Sequence, residues 1–295
     1  MTGASRVFAA NSLIFVPGSR PDRFAKAKAA GAGLTVIDLE DAVPAADKDA
    51  ARGHALARIG GDGTGRGGQD WAWQDRAGQD WGLRINAVTT AAGIADLHAL
   101  ATGAIMPATI LLPMVESPVE VEIVARVLGE RCPALVPLVE TPRGLRHAHR
   151  IAAAPGVAAM MFGGGDFSGE LGVALAWEPL LTARGAFIIA CAEAKVPAID
   201  VPFIGLDDPE GLADECAKAR ALGFAAKAAI HPSQVAAIEV AFAPSDKDVA
   251  EAEAAIAAYD AAGGKAIRFK GRMLEAPVIR NYRAVIERKG SKTNA

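Results

Sequence analysis

The chain has 295 residues, of which 51% are hydrophobic, 22% charged and 5% aromatic, so a large aliphatic core is available and the composition is not that of a disordered segment. Thirty-one Lys and Arg against 34 Asp and Glu leave a net charge of −3, which supplies no electrostatic reason to bind nucleic acid. The length allows two average domains or one α/β barrel of ~250 residues with an appendage.

Cys132, Cys191 and Cys216 form no CxxC or Cys/His grouping, and an odd number fits reduced thiols better than a disulfide framework. The stretch from Val7 to Val16 is interrupted by Asn11 and Ser12, and no small-x-small cleavage site follows, so no signal peptide is expected. No window offers the ~18 uninterrupted apolar residues of a membrane span. The expectation is a soluble, cytoplasmic chain with neither a membrane nor a nucleic acid as partner.

Apolar runs of strand length recur along the chain: Leu13-Val16, Leu34-Leu39, Leu83-Ile85, Ile110-Met114, Ala134-Val139, Val157-Phe162, Val196-Ile199 and Ala225-Ile230. A helical pattern follows each. Runs without polar interruption suit strands buried on both faces, and regular strand-helix alternation favours parallel pairing through right-handed crossovers. Eight such units predict a closed TIM (β/α)8 barrel. Helix starts agree, with proline at or near the first position in Pro21, Ser117-Pro118, Thr141-Pro142, Asp208-Pro209 and Pro232. Gly31 and Gly223 supply helix stops.

Two stretches lie outside the repeat. Residues 60–82 are Gly-, Asp- and Trp-rich, repeat the tetrapeptide GQDW and read as a loop insertion. Gly63, Gly65 and Gly68 within it spell GxGxxG, but no strand feeds the motif and no helix follows, so a dinucleotide site is not expected. After Ala243-Pro244-Ser245 the pattern predicts a helix from about Asp246 to Ala262, a basic segment and a final helix. The domain reading is therefore a barrel over 1–245 and a C-terminal helical extension over 246–295.

A closed barrel carries its chemistry on the loops at the strand C-terminal ends. Those ends hold Arg20, Asp38-Leu39-Glu40-Asp41, Arg84, Glu116, Glu140, Asp166, Asp200 and His231. Carboxylates gathered on one rim repel unless a cation sits among them. Glu140 and Asp166 end consecutive strands one repeat apart, so their oxygens can converge on one ion, and two carboxylates completed by water and substrate oxygens suit magnesium. The alternative is that each merely caps a following helix. His147 and His149 are two apart on a helix and face different ways, which disfavours a histidine metal site. Gly163-Gly164-Gly165 allows close approach of a bound carboxylate or makes an ordinary tight turn. Arg84 lies within a strand and must be paired, with a substrate carboxylate or with Glu40.

These pieces form an ordered set: Ser12-Leu13-Ile14-Phe15-Val16-Pro17-Gly18, Asp38-Leu39-Glu40-Asp41-Ala42-Val43-Pro44, Arg84-Ile85-Asn86, Glu140-Thr141, Phe162-Gly163-Gly164-Gly165-Asp166 and Gly223 through Pro232. Over about residues 11–285 the set resembles the citrate lyase beta-subunit-like branch of the HpcH/HpaI aldolase superfamily, which includes citryl-CoA and malyl-CoA lyases. The resemblance implies magnesium on Glu140 and Asp166, a keto-acid carboxylate on Arg84, Glu40 and Asp41 in an active-site loop, and CoA thioesters as substrates. It also implies homotrimers, or hexamers built from trimers, in which a C-terminal segment reaches a neighbouring active site. Three features depart from the family pattern. Met114 stands where members often carry lysine, Glu275 stands where the lyases usually place aspartate, and the 60–82 insertion has no assigned role.

The function so implied is magnesium-dependent cleavage of a β-hydroxyacyl-CoA, with Arg84 clamping the carboxylate, Gly165 and the two metal carboxylates at the substrate, and Glu275 of a neighbouring subunit protonating the thioester enolate. Arg20 and Lys26 are placed for the CoA phosphates, or are solvated helix charges. Lys265, Arg268, Lys270 and Arg272 form a second basic group whose default reading is a solvated surface. Alternative readings are a CoA-independent pyruvate aldolase, a thioesterase or malate-synthase-like enzyme, and a non-catalytic acyl-thioester-binding subunit.

Overall fold

The computed structural model describes residues 10–60 and 81–293, the last four without their side chains. Eight parallel strands close in chain order: β1 (Ser12–Pro17), β2 (Leu34–Asp38), β3 (Trp81–Arg84), β4 (Thr109–Leu112), β5 (Ala134–Val139), β6 (Met160–Phe162), β7 (Ala198–Asp200) and β8 (Ala226–Ala229). β8 returns to β1 with Ser12 opposite Lys227 and Leu13 opposite Ala228. The barrel inferred from eight apolar runs is thus the observed fold.

The crossover helices are α1 (Phe24–Ala29), α2 (Lys48–Gly60), α3 (Ala91–Thr102), α4 (Pro118–Leu128), α5 (Pro142–Ala152), α6 (Gly164–Leu171), α7 (Trp177–Ala194), α8 (Pro209–Leu222) and α9 (Pro232–Phe242). Ser117, Thr141 and Asp208 each accept a backbone N–H of the first turn they precede, as the Ser/Thr/Asp-Pro pattern predicts. Gly223 ends α8 at φ 116°, a conformation that disfavours a side chain. Pro21 opens a short 3-10 turn, Pro21–Arg23, before α1.

The edges of the expected insertion need correction. Residues 61–80, including the GxGxxG spelling, lie outside the described residues, but Gly60 closes α2 and Trp81 and Gly82 belong to β3. Trp81 pairs in register with Thr35 and is 1% exposed. Phe24 packs on it at 5.8 Å, with Lys28 and Arg58 over the ring. Its position beside a Gly/Asp-rich repeat masks a core residue as loop.

Side chains alternate across each strand, and the alternation decides the layers. Leu13 and Phe15 of β1, Leu34 and Val36 of β2, Val136 and Leu138 of β5, and Ala226 and Ala228 of β8 fill the barrel interior. Ile14, Ile37, Leu135 and Ala229 face the helices in the outer core layer. All three cysteines are unpaired.

The chain divides into two compact units, Met1–Phe242 and Ala243–Ala295. The second holds α10 (Asp246–Ala261), an antiparallel hairpin of β9 (Ile267–Phe269) and β10 (Arg272–Leu274), and α11 (Ala276–Thr293). Ser245 and Asp248 form a reciprocal capping box at the start of α10. The basic segment is therefore a hairpin, turning through Lys270 (φ 45°) and Gly271 (φ 80°). Ile267, Phe269 and Leu274 pack with Ile279 and Tyr282 while Arg268 and Lys270 are exposed. The period-2 signal is real but only three residues long per strand. Among the described residues no helix is long and apolar enough to cross a membrane.

Candidate active site

Extending the inward-facing phase one step past each strand locates the barrel mouth. The phase that places Val36, Leu138, Met161 and Ala228 inside reaches Asp38 at the last position of β2 and continues past the other strands to Glu140, Gly163 and Ile230. These residues, with Phe15, Pro17, Arg84 and Val201 and the loop residues Asp41, Gly165 and Asp166, line a cavity of about 440 Å³. The expected metal pair, the arginine and the glycine loop are therefore brought together.

Several of the other rim residues are not, among them Asp200, Glu116 and His231. Ile199 faces the interior, so Asp200 faces outward, fully buried, where it accepts Lys227 Nζ at 2.7 Å and Arg184 Nε at 2.9 Å. Its presence at a strand end made it resemble a rim acid, but its phase removes it from the mouth. Glu116 lies outside the cavity wall, accepting the Thr141 hydroxyl at 2.8 Å with Arg143 at 3.6 Å. His231 is exposed, its Nδ1 2.7 Å from the Ser233 hydroxyl at the start of α9.

Arg84 is the one cation lining the cavity among the described residues. Its guanidinium donates from Nε and Nη2 to the two oxygens of Asp38 at 2.7 and 2.6 Å. Nη1 is 2.8 Å from Glu40 Oε2 and 3.6 Å from Asp41 Oδ2. Both of the pairings left open by the sequence were incomplete, because the fork is taken by Asp38. Of the five N–H groups of an arginine, two are hydrogen-bonded to Asp38, and Nη1 makes only an ion-pair contact with Glu40, whose buried Oε2 has no hydrogen-bond partner. Burial works against the charge of Arg84, but the hydrogen bonds and charges of Asp38 and Glu40 outweigh it and raise the guanidinium pKa. Glu40 does not reach the cavity wall; it sits against Arg84, and burial, opposed by Arg84 and reinforced by Glu140, pushes its carboxyl up to about 8. Asp41 does line the cavity and is mostly exposed.

Glu140 is 4% exposed at the end of β5. Its Oε2 accepts the backbone N–H of Met114 at 2.6 Å, and Met114 presents that N–H from a left-handed conformation, φ 55°. The family pattern singles out the side chain at residue 114, whereas the fold uses its backbone N–H, which no side-chain pattern announces. Burial pushes the Glu140 carboxyl up to about 7 despite the Met114 N–H and Arg84, with Asp166 adding to the rise. The Asp166 carboxyl is also raised, first by burial and then by Asp41. Met114→Gly keeps the N–H and suits a positive φ, so turnover should stay within about threefold, whereas Met114→Pro removes the N–H and cannot take this φ. Parallel assays of the two variants check this.

Four acidic residues, Asp38, Asp41, Glu140 and Asp166, line the cavity against one arginine. Asp38 is neutralised by Arg84, which leaves Asp41, Glu140 and Asp166; the Glu140 and Asp166 carboxyls are raised first by burial, and neighbouring carboxylates add to the rise. That donor set fits a divalent cation. Among the described residues no cluster of three or more His, Cys, Asp or Glu could hold a metal; magnesium usually takes one or two carboxylates and keeps several waters.

The remaining site expectations fall on exposed positions. Arg20 forks onto Asp22 at 2.9 and 2.8 Å, and Lys26 is exposed on α1. Glu275 lies in the second unit, exposed immediately before α11.

Comparison with known proteins agrees with this geometry. The family model described as HpcH/HpaI aldolase/citrate lyase matches residues 11–232, and one described as a C–C bond lyase of the TIM-barrel fold matches residues 192–290. The chain is 34% identical over 289 residues to the citrate lyase subunit beta-like protein of Mycobacterium tuberculosis, covering 95% of this chain and 96% of that one. It is 28% identical over 291 residues to the mitochondrial citramalyl-CoA lyase of Homo sapiens, covering 91% and 82%. Among solved structures, the protein CitE of M. tuberculosis in complex with magnesium, acetoacetate and coenzyme A superposes with a TM-score of 0.78 at 32% identity, covering 96% of this chain and 99% of that one. With its barrel closed and its mouth built from the motifs the family model spans, the chain belongs to the HpcH/HpaI aldolase/citrate lyase family.

Proposed function

We propose that the chain is a magnesium-dependent carbon–carbon lyase that cleaves a β-hydroxyacyl-CoA, such as malyl-, citramalyl- or citryl-CoA, to acetyl-CoA and a keto or aldehyde acid. The observation that carries this reading is the convergence of Arg84, Glu140 and Asp166 on one cavity. The magnesium and coenzyme A of the similar CitE complex support it.

Glu140 and Asp166 would hold the magnesium ion, which when bound supplies a Lewis acid for the substrate's hydroxyl and carboxylate oxygens. Arg84 pairs with the carboxylate through N–H groups not bonded to Asp38 and so orients the scissile bond. Gly165 brings the first turn of α6 against the same carboxylate, where unpaired helix N–H groups favour negative charge. Asp41, exposed at the mouth, takes the hydroxyl proton as the carbon–carbon bond breaks. The electron pair of that bond passes to the thioester enolate, whose carbon is protonated by Glu275 of a neighbouring copy. Exchange with water then resets both carboxyls. Arg20 and Lys26 contact the CoA phosphates, with Arg20 leaving Asp22 to do so. In this reading the chain assembles as a homotrimer, or a hexamer built from two trimers, in the cytoplasm.

The test is a screen of malyl-, citramalyl- and citryl-CoA with products resolved by mass. One of the three should give acetyl-CoA and the matching acid with magnesium present and neither product after chelation. Free CoA released without acetyl-CoA would instead identify hydrolysis and refute the lyase reading.

A further inference from the structure

Asp38 ends β2 directly opposite Arg84 in the register of β2 and β3, and it is 1% exposed. Each of its oxygens accepts one guanidinium N–H and one backbone N–H: Oδ1 from Arg84 Nε and Glu40 N (2.9 Å), Oδ2 from Arg84 Nη2 and Ala42 N (3.3 Å). The carboxylate is thus anchored to the β2 loop on one side and holds a bidentate fork on the other. The ring of Phe15 lies 5.1 Å from the guanidinium carbon and supports one face of it. No other neighbour sets the orientation of Arg84 as fully. Glu40 approaches Nη1 alone, Asp41 is exposed and reaches Nη1 only at 3.6 Å, and Glu140 is committed to Met114.

We propose that Asp38 is a positioning residue for the cleavage reaction: it turns the guanidinium of Arg84 so that its remaining edge meets the carboxylate of the keto-acid half of the substrate. The inference rests on the carboxylate-binding role given to Arg84 under the proposed function. Substitution Asp38→Asn preserves shape but replaces an acceptor by an N–H donor, so a donor faces a donor at either Nε or Nη2 whichever way the amide turns. Arg84 then leaves its plane, and displacement on the order of 1 Å costs ~10²-fold in rate.

The experiment measures dissociation constants of pyruvate, CoA and Mn²⁺ by calorimetry and electron paramagnetic resonance for the full-length chain and its variants, with magnesium present for the first two ligands. In Asp38→Asn the pyruvate constant should rise at least about tenfold, the scale of one lost charge-assisted contact, while the CoA and Mn²⁺ constants stay within about twofold, the spread of a site left intact. Unchanged pyruvate affinity, or equal loss of all three ligands, overturns the proposal. Asp38→Ser, which keeps an acceptor for the loop but removes the fork, should behave alike and serves if the asparagine variant does not fold. Arg84→Gln is measured in parallel. If it loses pyruvate and Asp38→Asn does not, only the positioning role fails; if it retains pyruvate, the role of Arg84 in the proposed function fails as well.

Discussion

Glu140→Ala is expected to abolish magnesium-dependent turnover, with a loss of ~10³-fold or more corresponding to the several kcal/mol of charge stabilisation a bound metal supplies. The variant removes one of two facing carboxylates and leaves the Met114 N–H without its acceptor, a buried vacancy worth about 1–3 kcal/mol. Glu140→Gln separates the two effects, because the amide oxygen still accepts that N–H while the charge is gone. Both variants should lose Mn²⁺ binding, and the glutamine variant should keep its thermal stability. Full activity in either would refute the metal assignment.

The same residue gives a pH dependence with a defined sign. Burial raises the Glu140 carboxyl from 4.5 to about 7, so without metal the native state holds a proton that the unfolded state has released between those values. The Glu140 contribution to the stability of the metal-free protein should therefore fall as pH rises from about 4.5 to about 7 and level off above that. Glu40, raised to about 8, extends the decline. Urea unfolding in chelator at pH 5.5 and 8 should show the decline in the natural chain and a shallower one in Glu140→Gln. A magnesium ion that requires the deprotonated carboxylate should stabilise the protein more at pH 8 than at pH 5.5.

Gly163→Ala is expected to cost ~10²-fold in activity through displacement of a neighbouring catalytic group, although its backbone permits alanine. Gly163 has φ −93°, so conformation is not the obstacle. An added Cβ would overlap Glu140 Cγ and lie 2.5 Å from Oε1 and 2.8 Å from Cδ. Glu140 is buried and tethered by Met114, so it cannot rotate clear without breaking that hydrogen bond. Overpacking of this kind typically costs about 1–3 kcal/mol of stability, which a thermal melt detects. Gly165→Ala is the comparator for the melt alone, since its Cβ would meet nothing within 4 Å of the protein. The sequence offered a tight turn or a carboxylate cradle as reasons for the glycine run. At Gly163 the reason is neither, but the room taken by a side chain from the adjacent strand.

The amino-acid sequence by itself determined the barrel, because eight apolar runs and their capped helices encode local period and local hydrogen bonding, and these survive without knowledge of neighbours. It also determined which residue types stand at the strand ends, and so Glu140, Asp166 and Arg84 were legible as candidates. Trp81 and the β9-β10 hairpin were not, since a strand of three or four residues beside glycine and charged residues carries too few alternations to declare its period. Only the tertiary structure decided which end residues meet. Closure of the sheet assigns one phase to the mouth and the other to the helical shell, which brings in Asp38 and sends Asp200 to Lys227 and Arg184. It also brings the Met114 N–H against Glu140 across 26 positions and the Asp38 fork onto Arg84 across 46. Contacts of that span depend on distances between strands, and those distances exist only once the barrel has closed.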